Sequence, residues 1–264
     1  MNSKSKVRII QYFILTLCAI TMVVCIVFLF IALKEYRAAK NFYDDITMPI
    51  DTFEIEPGEL SSETVPEHIS QLLISYRKIQ KQYPNIVGYI NIPAVSICYP
   101  VVQGTDNEYY TTHLISGEEN KSGSIFLDFR VNSDPSLAKN LIVYGHNMNN
   151  RTMFHNIRNL FEEDIFRNVQ IEYVCDAGVF VYNSLSIYVT DTSDLYHAYD
   201  FENEETFSRF VADRASASRI PAEYDSVSNL ITLVTCSNSA TNQNQRFIFH
   251  GKLIKSYTDF GEIT

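Results

Sequence analysis

Between Ile9 and Leu33 the chain runs for twenty-five residues without a charge. As an α-helix at about 1.5 Å per residue this run reaches roughly 37 Å, enough to cross a ~30 Å hydrocarbon core with some tilt. Lys4, Lys6 and Arg8 precede it, and Lys34, Arg37 and Lys40 come after it. The flanking charges therefore barely discriminate between the two orientations. A cleaved signal peptide would have a shorter apolar core and a small-x-small cleavage site, which is missing before Lys34. We expect a retained signal-anchor over residues 9–33. The size of the C-terminal body, and the lack of a second span, favour a single-pass arrangement with residues 1–8 cytoplasmic and the body extracellular. Residues 34–60 pass from KEYRAAKNFYDD to the acidic, Pro-containing MPIDTFEIEPGEL, which reads as a stalk or linker, partly ordered at best.

Residues 61–264 are then one globular domain. A helix is expected over Ser61–Tyr83, capped by Ser62, with Ile69, Leu72, Leu73, Tyr76 and Ile79 on one face. Beyond it the pattern changes to short β-like runs: Ile86–Ile92, Ile97–Val102, Ser124–Phe129, Asn140–Tyr144, Gln170–Val174, Val179–Val189, and a long hairpin over Ile231–Leu253. Met153–Phe161 and Glu202–Ala215 read as helices in the connections. About eight strands with helices only between them imply a mainly β domain built as a closed or nearly closed barrel.

Charge narrows the function classes. The first forty residues carry six Lys/Arg and one acid, which leaves fifteen basic and thirty acidic residues for the rest. So acidic a body argues against general nucleic-acid binding and against a domain lying flat on anionic lipid. Of five cysteines, Cys18 and Cys25 lie in the apolar run. Cys98, Cys175 and Cys236 match neither a zinc pattern nor a C-x-x-C pair, so no metal or cofactor is expected.

Cys236 differs from the other thiols because the apolar run ITLVTC gives way there to the polar SNSATNQNQ. A hairpin brings Arg246, first residue of the returning strand, beside it. A free thiol with a pKa of about 8.5 is only a few per cent thiolate at neutral pH, and a neighbouring cation raises that fraction. Arg246 could equally hydrogen-bond the acyl oxygen of a substrate, or be an ordinary strand-edge arginine in an ion pair. A cysteine nucleophile also needs a proton-transfer partner, usually histidine. His146 stands just past the strand NLIVY, at the start of the loop GHNMNN, the same strand-end placement as Cys236. His68, His113, His155 and His197 carry no comparable signal, and His250 reads as a buried structural residue.

TLVTC at 232–236, with Arg246 ten residues later and YGHNM at 144–148, resembles the sortases, specifically class B. The resemblance extends, in order, through YPVVQGTDNEYY at 99–110, GSIFLDFR at 123–130, NLIVYGHNMNNRTMF at 140–154 and FIFHGKLI at 247–254. It implies an eight-stranded sortase-type β-barrel with an N-terminal helix and a helix between the sixth and seventh strands, preceded by the transmembrane helix. It implies a membrane-anchored cysteine transpeptidase of Gram-positive bacteria, with Cys236, His146 and Arg246 as catalytic residues. Cys236 would attack the carbonyl of a threonine in a C-terminal sorting motif of surface proteins. The resulting thioacyl enzyme would be resolved by an amine of a cell-wall precursor or a pilin. Substrate-groove positions by the same resemblance are Asn107, Thr111, Tyr144, Thr192, Tyr196, Val234, Thr235 and Ser237. Thr111, Val234 and Ser237 depart from the residues common there, which bears on the preferred motif. The rival readings are a cysteine endopeptidase using water as acceptor and a catalytically silent surface binding domain.

Overall fold

The structure, a computed structural model, describes residues 3–46, 66–236 and 244–258. A helix α1 (Ser3–Ile46) precedes α2 (Glu67–Gln82). Eight strands come next: β1 (Ile86–Ile92), β2 (Ile97–Gln103), β3 (Ile125–Leu127), β4 (Asn140–Tyr144), β5 (Gln170–Cys175), β6 (Gly178–Asp191), β7 (Leu230–Cys236) and β8 (Gln245–Tyr257). They close into a barrel in the order β1-β2-β3-β4-β7-β8-β6-β5. The short helix α3 (Glu163–Asn168) precedes β5, and α4 (Glu204–Ser216) lies between the sixth and seventh strands, as expected. All neighbours are antiparallel except β2–β3 and β4–β7. Because parallel strands cannot be joined by a tight turn, these two pairs force the long connections that surround the site.

Each element follows from local pattern. The buried face of α2 is Ile69, Leu72, Leu73, Tyr76 and Ile79. Ser62, the expected cap, lies outside the described residues, and α2 begins behind Pro66. The segment Phe154–Phe161 is a 3₁₀ helix rather than an α-helix and buries Phe154, Ile157 and Leu160. That spacing of three is what three residues per turn require, so Leu160 takes the place that α-helical periodicity assigned to Phe161. Helix α4 opens with a capping box, Asn203 accepting from the Thr206 N–H and the Asn203 N–H donating to the Thr206 hydroxyl.

Helix α1 is apolar and exposed from Tyr12 through Leu33, where its large side chains are 44% to 69% exposed. It is long and apolar enough to cross a membrane. It does not end at Leu33, and residues 34–46 are ordered helix docked on the barrel rather than a partly ordered stalk. Residues 47–60 lie outside the described part. Ala39 and Tyr43 are buried in the main core. The Tyr43 hydroxyl donates to the Gly123 carbonyl at 2.9 Å and lies 3.0 Å from Ser124 Oγ. Glu35 accepts from the Lys121 backbone N–H at 3.0 Å. Helix propensity alone could not reveal this, because the apolar spacing Ala39–Tyr43 is only one turn long and its partner lies eighty residues away.

The docked turns should contribute measurably. Burying one tyrosine side chain and its neighbours is worth about 2–4 kcal/mol. A chain of residues 34–264 should therefore melt about 5–10 °C above one of residues 47–264, read by circular dichroism. Equal melting temperatures would show that these turns do not pack on the barrel.

Candidate active site

The register of β7 assembles the three expected catalytic residues. Its antiparallel pairing with β8 sets Cys236 opposite Arg246. Its parallel pairing with β4 sets Val234 level with Tyr144. His146, two residues past Tyr144, is therefore level with Cys236, two past Val234, on strands about 4.8 Å apart. The Gly145 N–H donates to the Val234 carbonyl at 3.1 Å, and the Asn147 amide donates to the Cys236 carbonyl at 2.8 Å. The first bond extends the ladder past the end of β4, and the second, from the Asn147 side chain, ties the histidine loop to the cysteine. A side chain at Gly145 would meet Ile125 at 2.4 Å and Phe154 at 2.7 Å, so only glycine lets the chain turn here.

His146 Nε2 lies 2.7 Å from the Thr111 carbonyl oxygen. A carbonyl has no proton to give, so Nε2 carries the hydrogen and Nδ1 is left to exchange a proton with a reactant. The Thr111 side chain is turned back to the Glu108 carbonyl, so its visible role is to orient the histidine. Arg246 donates to the Gln245 carbonyl at 3.0 Å from one guanidinium nitrogen and is half-buried. The other two thiols of the body are poor nucleophiles, because burial pushes Cys98 up to about 11 and Cys175 up to about 12.

Around this row lie the expected groove residues. Tyr144 stacks on Phe126 with ring centroids 5.3 Å apart. Its hydroxyl donates to Asp128 Oδ2 at 3.2 Å. The Asn107 amide donates to the same oxygen at 3.0 Å, while its carbonyl accepts from the Phe129 N–H at 3.1 Å. Tyr196 is buried, with Arg246, Cys236 and Asp128 all in electrostatic range. Burial pushes its phenol up, and the Arg246 guanidinium pulls against that. Val234 is buried beside Tyr144, and Thr192 is exposed in the turn after β6. Thr235 is not brought to this side. Strand alternation turns it away from Cys236, and its hydroxyl is buried without a hydrogen-bond partner. Only its backbone can line the groove. Ser237 lies outside the described residues.

Sequence reasoning missed Asp128. It is fully buried and accepts from Arg130 Nε at 2.8 Å, Arg130 Nη2 at 2.7 Å and the Arg130 N–H at 3.0 Å. Burial pushes its carboxyl up, but the bonds from Arg130 and Asn107 outweigh that and hold it below the usual range. Arg130 in turn stacks over Tyr199 at 4.5 Å. The available signal was an acid directly after the apolar run SIFL, with an arginine two residues on. Among the described residues no cluster could hold a metal ion.

Comparisons with known proteins identify the family of the chain. Residues 90–254 match the Sortase domain family model. The chain is 31% identical over 192 residues to sortase B of Staphylococcus aureus, covering 72% of this chain and 77% of that one. The solved Staphylococcus aureus sortase B–substrate complex is similar with a TM-score of 0.63 at 29% identity, over 69% of this chain and 86% of that one. A structure of sortase B complexed with triglycine is similar with a TM-score of 0.63 at 29% identity, over 70% and 87%.

Two substitutions test the site's construction. Thr235→Val removes an unpaired buried hydroxyl and should stabilise the protein by about 1 kcal/mol. A fall in melting temperature would mean that the hydroxyl has a partner. Asp128→Asn should cost about 2 kcal/mol, less than a fully buried pair because the Arg130 side chain is 30% exposed. A lowered carboxyl pKa contributes stability above the unfolded value of about 3.9, which is lost as pH falls through the folded value. The gap in melting temperature between wild type and Asp128→Asn should therefore persist at neutral pH and close below about pH 4.

Proposed function

Since the chain belongs to the sortase family, class B, and is a cysteine transpeptidase, we propose that it cleaves a C-terminal sorting motif of surface proteins after threonine and transfers the acyl group to an amine of the cell wall or a pilin. The observation that carries this reading is the single row formed at one end of β4, β7 and β8 by His146, Cys236 and Arg246. The substrate complex of Staphylococcus aureus sortase B and the sortase B complex with triglycine support a peptide donor and an amine acceptor.

The steps follow from the side chains. His146 Nδ1 takes the thiol proton, and the Cys236 sulfur adds to the threonine carbonyl. The tetrahedral oxyanion accepts hydrogen bonds from Arg246. The C–N bond breaks as Nδ1 returns its proton to the leaving amine, giving a thioester. The acceptor amine then adds to the thioester and gives its proton to Nδ1, and the C–S bond breaks to release the thiolate. Nδ1 returns that proton to the Cys236 sulfur to restore the starting thiol. Asn107, Tyr144, Tyr196, Val234 and the backbone around Thr111, Thr192 and Thr235 would line the groove. The apolar part of α1 would anchor the enzyme as a single-pass protein with the barrel outside the cell membrane.

Incubating residues 34–264 with a library of threonine-containing peptides and candidate amines, read by mass spectrometry, tests the reaction. Amide products that require Cys236 are expected, and release of free acid alone would favour the peptidase reading. Arg246→Lys separates charge from geometry. If the planar fork donates to the oxyanion, worth about 3 kcal/mol, lysine should lower kcat on the order of a hundredfold while the iodoacetamide alkylation rate of Cys236 stays near wild type. A lysine variant with near-normal kcat would show that Arg246 acts through charge alone.

A further inference from the structure

Side chains on β4, β7, β8 and β6 that face α4 form a second row, two residues deeper than Val234. β7 pairs Thr232 with Ile142 on β4 and with His250 on β8, and Ser186 on β6 faces His250. Thr232 lies four residues below Cys236 on the same side of β7, about 13 Å along the strand. The polar atoms of this row are buried, and their bonds have only one consistent direction.

The direction starts from two backbone carbonyls that can only accept. The Asn140 amide nitrogen donates to the Ala198 carbonyl at 2.8 Å and lies 3.5 Å from that of Tyr196. Its other end, Oδ1, must then accept, and the Thr232 hydroxyl donates to it at 2.6 Å. That hydroxyl has one hydrogen, so it accepts from His250 Nδ1–H at 2.8 Å. His250 Nε2 is left to accept from the Tyr188 hydroxyl at 3.0 Å. The Tyr188 oxygen accepts from Arg214 at 3.2 Å. Arg214 also pairs with Asp194. The segment 194–198 is thus held at both ends by one chain of bonds, through Asp194 at its start and through the Tyr196 and Ala198 carbonyls at its finish. Burial, and next to it the Arg214 charge, holds His250 down at about 3, which keeps the ring neutral as this direction requires.

We propose that Arg214, Tyr188, His250, Thr232 and Asn140 form a positioning relay that sets Tyr196 against the Cys236–Arg246 pair and so determines how tightly the groove holds the donor peptide. The proposal rests on the reading of Tyr196 as a groove wall. None of the five touches the reacting atoms. The relay joins α4, the strands β4, β6, β7 and β8, and the connection after β6, so the groove wall is held by the sheet face that also carries the nucleophile.

Two substitutions at one position separate hydrogen bonding from packing. Thr232→Val keeps the shape and removes the hydroxyl, whereas Thr232→Ser keeps the hydroxyl. With the full-length enzyme in detergent micelles and the best-cleaved member of a threonine-containing peptide library, Thr232→Val should raise KM about tenfold with kcat within about twofold. Thr232→Ser should stay within about twofold of wild type in both. Hydrogen exchange should accelerate at residues 194–200 in Thr232→Val alone, with the remaining barrel amides unchanged. If Thr232→Val does not fold, Tyr188→Phe breaks the relay one bond earlier and should show the same KM and exchange pattern. Equal behaviour of the valine and serine variants, or exchange that rises across the barrel with no local excess, would overturn the relay. Failure of the wild type to turn over any peptide would instead remove the transpeptidation reading, while the exchange comparison would still decide the relay.

Discussion

Strand β7 is hydrogen-bonded on both edges, parallel to β4 and antiparallel to β8. Its residues alternate between the barrel interior and the face covered by α4. Ile231, Leu233 and Thr235 point one way, and Thr232, Val234 and Cys236 the other. A slip of one residue would put Cys236 inside the barrel and separate it from Arg246 and His146. The apolar inward set fixes the register, and the register delivers the chemistry. Cys236, His146 and Arg246, the proposed nucleophile, proton carrier and cation, thus need no dedicated local motif to meet.

The same logic explains which parts of the molecule were legible in sequence. The hairpin carrying Cys236 and Arg246 is a local pattern, an apolar run and an alternating run on either side of a polar stretch, and the structure pairs the two strands. His146 was visible because it follows an apolar run after a single glycine. The six strand-like stretches and the hairpin became eight strands with only end residues shifted, and α4 appeared where its Phe207, Phe210 and Val211 spacing put it. Each of these signals is contained in a short stretch of chain, the hairpin being the longest.

What was not legible is what depends on distant partners. Tyr43 falls in what reads as a stalk or linker until Gly123 and Ser124 come beside it. Asp128 falls inside the expected strand Ser124–Phe129, and its partners Asn107 and Tyr144 lie twenty-one and sixteen residues away. Thr235 precedes the nucleophile in sequence, but strand alternation turns its hydroxyl from the groove. His250 was readable as buried, yet nothing local says that its two nitrogens bond Thr232 and Tyr188.

The position of the site follows from the two parallel pairings. A parallel pair needs a long connection, and these connections leave from the ends of β2 and β4. The one from β2 to β3 carries Asn107 and the Thr111 carbonyl that orients His146. The chain between β4 and β7 carries His146 at its start and Tyr196 and α4 near its end. β4 and β7, running the same way, finish together, and the connection that leaves β4 starts at that shared end. β8 runs oppositely and so contributes its first residues, which is why the arginine opens its strand while the cysteine closes its own. In an all-antiparallel barrel joined by tight turns the three side chains could still share a sheet edge, but no connection would be long enough to wall them. The parallel pairs are therefore what could turn the proposed catalytic row into the proposed groove.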